Sequence, residues 1–157
     1  MQRRFLLVSL MLSVGLAACS SGPVRRVSPP AASVQQLTVN LDGSWTVLLR
    51  LQNYSSIPMR FGDAAIAMTV AGVGAGSLNA SPGISIGPES ADVASFALQP
   101  SSGARIAVAD ALATRRPIAY TLEGTLQAAP EDSKSRSFKV DTSNTLNPIP
   151  GLDGVLR

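Results

Sequence analysis

The chain carries one thiol, Cys19, and no histidine among its 157 residues. These two facts bound its chemistry. Without imidazole, the usual acid–base group near neutral pH is missing, and so is the commonest ligand of transition metals. A Ser-His-Asp triad cannot be assembled. A Ser-Lys pair would need Lys134 or Lys139, both in a polar stretch beside the last predicted strand, where a lysine is expected to be solvated. The ten carboxylates are scattered, and no Asp-x-Asp loop of the calcium-binding kind occurs. The run Gly72-Val73-Gly74-Ala75-Gly76 could cradle a phosphate only by opening a helix whose N-terminus faced the anion. The residues that follow, Ser77-Leu78-Asn79-Ala80-Ser81-Pro82, have no helical face, so a hairpin or a close backbone approach is expected instead. The inventory implies a protein that is not an enzyme, without a metal or a bound cofactor. Its one reactive side chain is Cys19.

Cys19 closes a segment of telling composition. Arg3 and Arg4 make a short positive start, and residues 5–16 form an apolar run interrupted only by Ser9, Ser13 and Gly15. A helix needs about 20 apolar residues to cross a bilayer, so this run is too short to remain as a span. A positive start followed by a short apolar run and small residues describes a cleavable export signal over residues 1–18. The sequence Leu16-Ala17-Ala18-Cys19 resembles the lipobox of bacterial lipoproteins. That resemblance implies a thioether-linked diacylglycerol on Cys19, cleavage before it, and N-acylation of the new terminus. Ser20, in place of an aspartate, favours sorting to the outer membrane, facing the periplasm. One acyl chain holds a protein marginally and two or more hold it stably, so the membrane partner would be engaged through lipid alone.

Composition changes once the signal is set aside. Residues 19–157 hold 11 basic and 10 acidic side chains, against 13 and 10 for the whole chain. The basic balance and the positive mean hydropathy both owe much to the leader. No basic stripe suited to a nucleic acid remains. Residues 20–32, with Pro23, Pro29 and Pro30 and no periodicity, read as the body of a flexible tether over 19–33.

From Val34 the pattern acquires period two. Leu37, Val39 and Leu41 alternate with polar residues; after Asp42-Gly43, Trp45, Val47, Leu49 and Leu51 do the same. Alternating runs about Asp-Gly predict a hairpin with a type I′ turn. Further strands are expected within residues 59–70 (strongest over 65–70), at Ile84 and Ile86, over 92–98, around Ile118-Tyr120-Leu122 and over 137–141. Trp45, Phe96, Tyr120 and Phe138 lie in strand phase and belong in a core. One helix is expected, capped by Ser102 and ended by Arg115-Arg116 and Pro117. Its buried face could be that of Ile106, Ala109 and Ala113 or that of Val108 and Leu112. About seven short strands with one short helix predict an all-β, immunoglobulin- or fibronectin type III-like antiparallel sandwich over 34–157, a closed barrel being the alternative. The apolar residues of the tail, from Leu146 to Leu156, are expected to pack along it.

The order of features over residues 33–139 resembles the late-embryogenesis-abundant type 2 family, also called the water-stress and hypersensitive-response (WHy) domain. A hydrophobic strand enters an Asn-containing loop, Leu49-Arg50-Leu51-Gln52-Asn53-Tyr54-Ser55-Ser56-Ile57-Pro58. A strand and a glycine-rich hairpin follow at 67–76, then a helix leading into Pro117-Ile118-Ala119-Tyr120-Thr121-Leu122-Glu123-Gly124. The family usually has Asn-Pro-Asn where this chain has Asn53-Tyr54-Ser55. The resemblance covers about two thirds of the chain. It implies a fibronectin-like sandwich, no catalysis, and a link with desiccation or envelope stress.

The candidate interaction loop is therefore Asn53, Tyr54, Ile57, Pro58 and Phe61, with Tyr54 and Phe61 expected to be exposed on either side of Pro58. The leading expectation is a monomeric, lipid-anchored envelope module of the stress-protection kind. The alternatives are a periplasmic carrier or sensor of lipid or other apolar ligands, suggested by the small aliphatic strands, and an adaptor for other envelope proteins.

Overall fold

The computed structural model describes residues 25–131 and 133–157. The signal segment and the Leu16-Ala17-Ala18-Cys19 motif lie outside the described residues. Alternation builds the first hairpin: β1 (Ala31–Val39) pairs antiparallel with β2 (Trp45–Gln52), with Val39 opposite Trp45. Leu37, Trp45, Val47, Leu49 and Leu51 are all buried on one face. The turn differs from the expected type I′. The Gly43 N–H donates to Asn40 O at 2.9 Å and the Asn40 N–H to Ser44 O at 2.8 Å, so three residues make the loop. Gly43 alone takes a positive φ, 81°, the arrangement of a type I turn followed by a left-handed glycine. The Asp42 carboxylate accepts from the Ser44 hydroxyl (2.6 Å) and N–H (2.9 Å), which hold its pKa below the usual value. Leu41, expected to continue the buried face, lies in this turn and is fully exposed, because β1 ends at Val39.

β3 (Met59–Val70) and β4 (Val73–Ala80) form a second hairpin, and β5 (Ile84–Ile86) pairs with the start of β3. β6 (Ala91–Leu98) then joins β2. A helix, α1 (Ser102–Thr114), crosses to the other sheet, where β7 (Ile118–Pro130) pairs with β3 and β8 (Arg136–Leu146) with β7. A two-residue strand, β9 (Val155–Leu156), returns beside β1. The sheets run β6-β2-β1-β9 and β4-β3-β7-β8. The molecule is thus an all-β antiparallel sandwich with one short helix, not a closed barrel. It has nine strands among the described residues where about seven were expected; β7 and β8 also run well past their predicted ends.

The apolar faces of both sheets meet between them. Trp45 and Phe96 from one sheet and Phe61 and Tyr120 from the other are at most 1% exposed, and Phe138 packs against this core half-buried. Met59 and Met68 are buried with these large side chains between the sheets. The flanks also close. Thr142 Oγ1 donates to Ala32 O at 2.9 Å between β8 and β1, while the β4 backbone at Gly76 approaches Leu98 of β6 so closely that a Cβ there would lie 2.8 Å from Leu98 Cδ1.

Ser101, one residue before the expected cap, stops the α1 N-terminus. Its Oγ accepts from the Ala104 N–H at 3.2 Å and donates to Gly74 O at 2.7 Å, so one hydroxyl caps the helix and ties it to β4. Ala104, Val108 and Ala111 are buried; the Val108 face is the one turned inward, and Ile106 is exposed. Arg115 ends the helix in the left-handed region at φ 52°.

Tyr120 links the two sheets. Its hydroxyl accepts the Val34 N–H at 3.0 Å, beside an irregularity in the β1–β2 register between Val34 and Gln36. Burial pushes the phenol above its ordinary 10.0, against the opposing pull of that hydrogen bond. We expect Tyr120→Phe to leave the Val34 N–H unpaired in the core and to lower stability by roughly 1–3 kcal/mol in denaturant unfolding. The sign of the pH effect follows from the raised pKa. The stabilising contribution of the neutral phenol is complete below pH 10 and is lost as pH rises toward the folded-state value. The variant should lack that share of the alkaline decline.

β1 begins at Ala31, inside the stretch read as tether. The residues before it are fastened too: Arg26 and Ser28 hydrogen-bond to the loop after β2. A domain starting at Val34 would cut into β1 and lose the contacts of Arg26 and Ser28, so the structural unit includes these residues. At the other end, the Val39 N–H donates to Gly154 O at 2.8 Å, and Leu156 is fully buried opposite Leu37.

Candidate functional site

The loop between β2 and β3 is built around a buried amide. β2 alternates out of the core through Gln52, which puts Asn53 inward at the end of the sheet, fully buried. Its Nδ2 lies 2.9 Å from Ile57 O, 3.1 Å from Ile86 O and 2.8 Å from Gly87 O, and its Oδ1 accepts the Ser55 N–H at 2.8 Å. The Asn53 backbone N–H donates to Ser90 O at 2.8 Å. One side chain thereby satisfies groups on its own loop, at the end of β5 and just after it. Buried polar groups need such partners, and this amide gives them to the turn at Ile57, to Gly87 and to Ile86 at the end of β5.

The residues before β1 hold the loop from the opposite side. Ser55, also fully buried, accepts the Ser28 N–H at 3.0 Å with its Oγ and places that Oγ 2.9 Å from Met59 Sδ. The Arg26 N–H donates to Ser56 Oγ at 2.8 Å, and the Ser56 N–H to Arg26 O at 3.0 Å. The Arg26 guanidinium reaches Tyr54 O at 3.2 Å and Glu89 Oε1 at 3.0 Å. The ion pair is exposed and contributes little by itself. The backbone bonds do the fastening.

The five residues of the expected interaction loop thus separate. Tyr54 is exposed, at 51%. Ile57 and Pro58 are partly buried. Asn53 and Phe61 are fully buried, which corrects the expectation of exposure for Phe61: it is the third residue of β3 and points between the sheets with Met59. Asn53 acts on its own chain and presents nothing to a partner. Arg26, Ser28 and Glu89 belong to the same cluster, and no local pattern in the sequence points to them. No periodicity marks a contact between a proline-rich segment and a loop 28 or 63 residues away.

Beside the cluster, at the same pole, an open groove of about 510 Å³ is lined by Arg60, Gly83, Ser85, Ala129, Pro130, Glu131 and Ser133. It offers one guanidinium and one carboxylate amid small side chains. Chemically, the pole can make hydrogen bonds, charge contacts and one aromatic contact. Among the described residues no three of His, Cys, Asp and Glu gather into a group that could hold a metal ion, and no helix is long and apolar enough to cross a membrane.

The architecture is that of a two-sheet sandwich whose N-terminal segment and inter-sheet loops share one pole. Among solved structures it is similar to the solution structure of a protein from Arabidopsis thaliana, with a TM-score of 0.51, 11% identity, and coverage of 88% of this chain and 93% of that one. At that identity the likeness is one of fold. The solution structure of a candidate late-embryogenesis-abundant protein aligns at 17% identity over 95% of this chain and 88% of its own, with a TM-score of 0.49. A crystal structure of a protein from Archaeoglobus fulgidus aligns at 14% identity over 76% and 97%, with a TM-score of 0.39. No protein-family model matches the chain, and no curated protein matches it significantly.

Proposed function

We propose that this chain is a lipid-anchored, non-enzymatic protein of the bacterial envelope, a water-stress-related protective or interaction module of the late-embryogenesis-abundant type 2 kind. The observation that carries the anchoring is Leu16-Ala17-Ala18-Cys19 at the end of an apolar run too short to span a bilayer. The module reading is supported by the ordered set of motifs over residues 33–139 and by a sandwich that suits it. A chain without histidine, whose loop cluster spends its polar groups on its own backbone, is better equipped for contact than for catalysis.

Deleting the gene and measuring survival after drying and osmotic shock tests the role. The expected result is a survival defect that wild-type protein restores and Cys19→Ser does not. Unchanged survival, with a defect in some envelope assembly instead, would move the role to that of an adaptor.

A further inference from the structure

The fastening of residues 26–28 onto the loop cluster restricts how the domain can sit on a bilayer. We propose that the pole formed by Tyr54, Ile57, Pro58 and the described β7–β8 turn residues Glu131, Ser133 and Lys134 is a membrane-facing surface that meets anionic phospholipid headgroups. The proposal rests on lipid attachment at Cys19 as read above.

The chain between the lipid and the docked segment is short. From Cys19 to Arg25 there are six residue steps, and an extended chain covers about 3.3–3.6 Å per residue, so the leash reaches roughly 20 Å. β3 runs from this pole to the other over 12 residues, about 40 Å at some 3.3 Å each. The leash is half the length of the sandwich. While Arg26 and Ser28 stay bound to Ser55 and Ser56, the far pole, with the 40–44 turn and α1, cannot stand against the membrane that holds the lipid. Had the whole stretch to Ala32 been free, the leash would have reached about twice as far and imposed no such choice.

Charge favours the same orientation. Arg25, Arg26, Arg60, Lys134 and Arg136 are exposed at or beside this pole. Against them stand Glu89 and Glu131, and Asp132 follows in the chain. The pole is therefore net positive. The outer face of the β4-β3-β7-β8 sheet, by contrast, carries Arg60 only at its end beside this pole and otherwise presents Asp63, Glu123 and Asp141 against Lys139, which is already bonded to Asp141 at 2.7 Å. Basic side chains are drawn to an anionic bilayer and carboxylates are repelled by it, so lying on that sheet is disfavoured relative to standing on the pole. Tyr54, half exposed at the tip, is the amphipathic ring that suits a headgroup layer.

Amide hydrogen exchange on vesicles tests this with two preparations of the chain from Cys19 to Arg157. One is the lipoprotein taken from membranes. The other is unlipidated protein coupled through its Cys19 thiol to a maleimide lipid. On phosphatidylcholine vesicles containing phosphatidylglycerol, exchange over 54–58 and 131–136 should slow several-fold relative to phosphatidylcholine alone. Salt, or Lys134→Glu with Arg136→Glu, should abolish the difference, and the 40–44 turn should be unaffected. Equal exchange on both vesicles, or slowing centred on 40–44 or on the outer face of β2, would overturn the proposal. If the membrane-derived protein carries no lipid, the anchoring reading fails, and the coupled preparation still decides which pole faces the bilayer.

Discussion

Replacing Asn53 by alanine should cost roughly 3–5 kcal/mol of folding stability, among the largest losses a single substitution can produce in this domain. The truncation removes the donor shared by Ile57 O, Ile86 O and Gly87 O and the acceptor of the Ser55 N–H. Each buried group left unpaired costs about 1–3 kcal/mol, although solvent entering a loosened loop would recover part. Asn53→Asp is the sharper variant. It keeps the shape but sets a carboxylate against three carbonyl oxygens. Its folded-state pKa should rise above the ordinary value of about 3.9, because only the protonated acid can donate there. The penalty should accordingly be complete above that raised pKa and shrink as pH falls through it. Tyr54→Ala, at an exposed position, should change stability by no more than about 0.5 kcal/mol. Denaturant unfolding of the three variants at neutral and mildly acid pH separates a loop that acts on its own chain from one whose residues are all offered to a partner.

Gly124→Ala should be as damaging, for a steric reason. Gly124 lies in β7 opposite Ile66 of β3. A Cβ built on it would fall 2.1 Å from Ala65 O and 2.8 Å from Ile66 Cα. Both are backbone atoms of a central strand, so no rotamer change relieves the clash; β3 and β7 must move apart. Overpacking of a core typically costs 1–3 kcal/mol and sometimes more, and a contact this short with main chain belongs at the upper end, about 3 kcal/mol or above. Gly74→Ala is the control, since nothing lies within 4 Å of a Cβ there and stability should be nearly unchanged. Thermal unfolding of both variants checks the pair. A mild effect at Gly124 would contradict the close apposition of β3 and β7.

How much of this was legible in the sequence depends on range. Period-two alternation marked Trp45, Val47, Leu49 and Leu51 correctly, because one face of β2 packs on the core and the other meets solvent. The same rule failed at Leu41, where turn geometry took over from alternation and ended the strand two residues early. β8 was visible only around Phe138 and Val140, because an edge strand that exposes Asp141, Ser143 and Thr145 has little apolar pattern to show. β9 has two residues and could not be periodic. Residues 53–58 read as a loop, yet nothing local shows the role of Asn53, since its partners at Ile86 and Gly87 lie far along the chain. Nor does anything local in the run Arg25-Arg26-Val27-Ser28 announce that it docks: its partners are Ser55, Ser56 and Glu89. Gly124 had a signal, a glycine within a strand, which often means a close backbone approach, but only the pairing with Ile66 says to what.

The central claim, a sandwich held to the envelope through lipid on Cys19, is tested most directly by the intact mass of the protein recovered from washed membranes. The account predicts a chain beginning at Cys19 and carrying a thioether-linked diacylglycerol with an acyl group on its amine, and it predicts that Cys19→Ser abolishes both the added mass and the membrane association. A free Cys19 thiol on wild-type protein, or a domain beginning at Arg25 that still sediments with washed membranes, would contradict it.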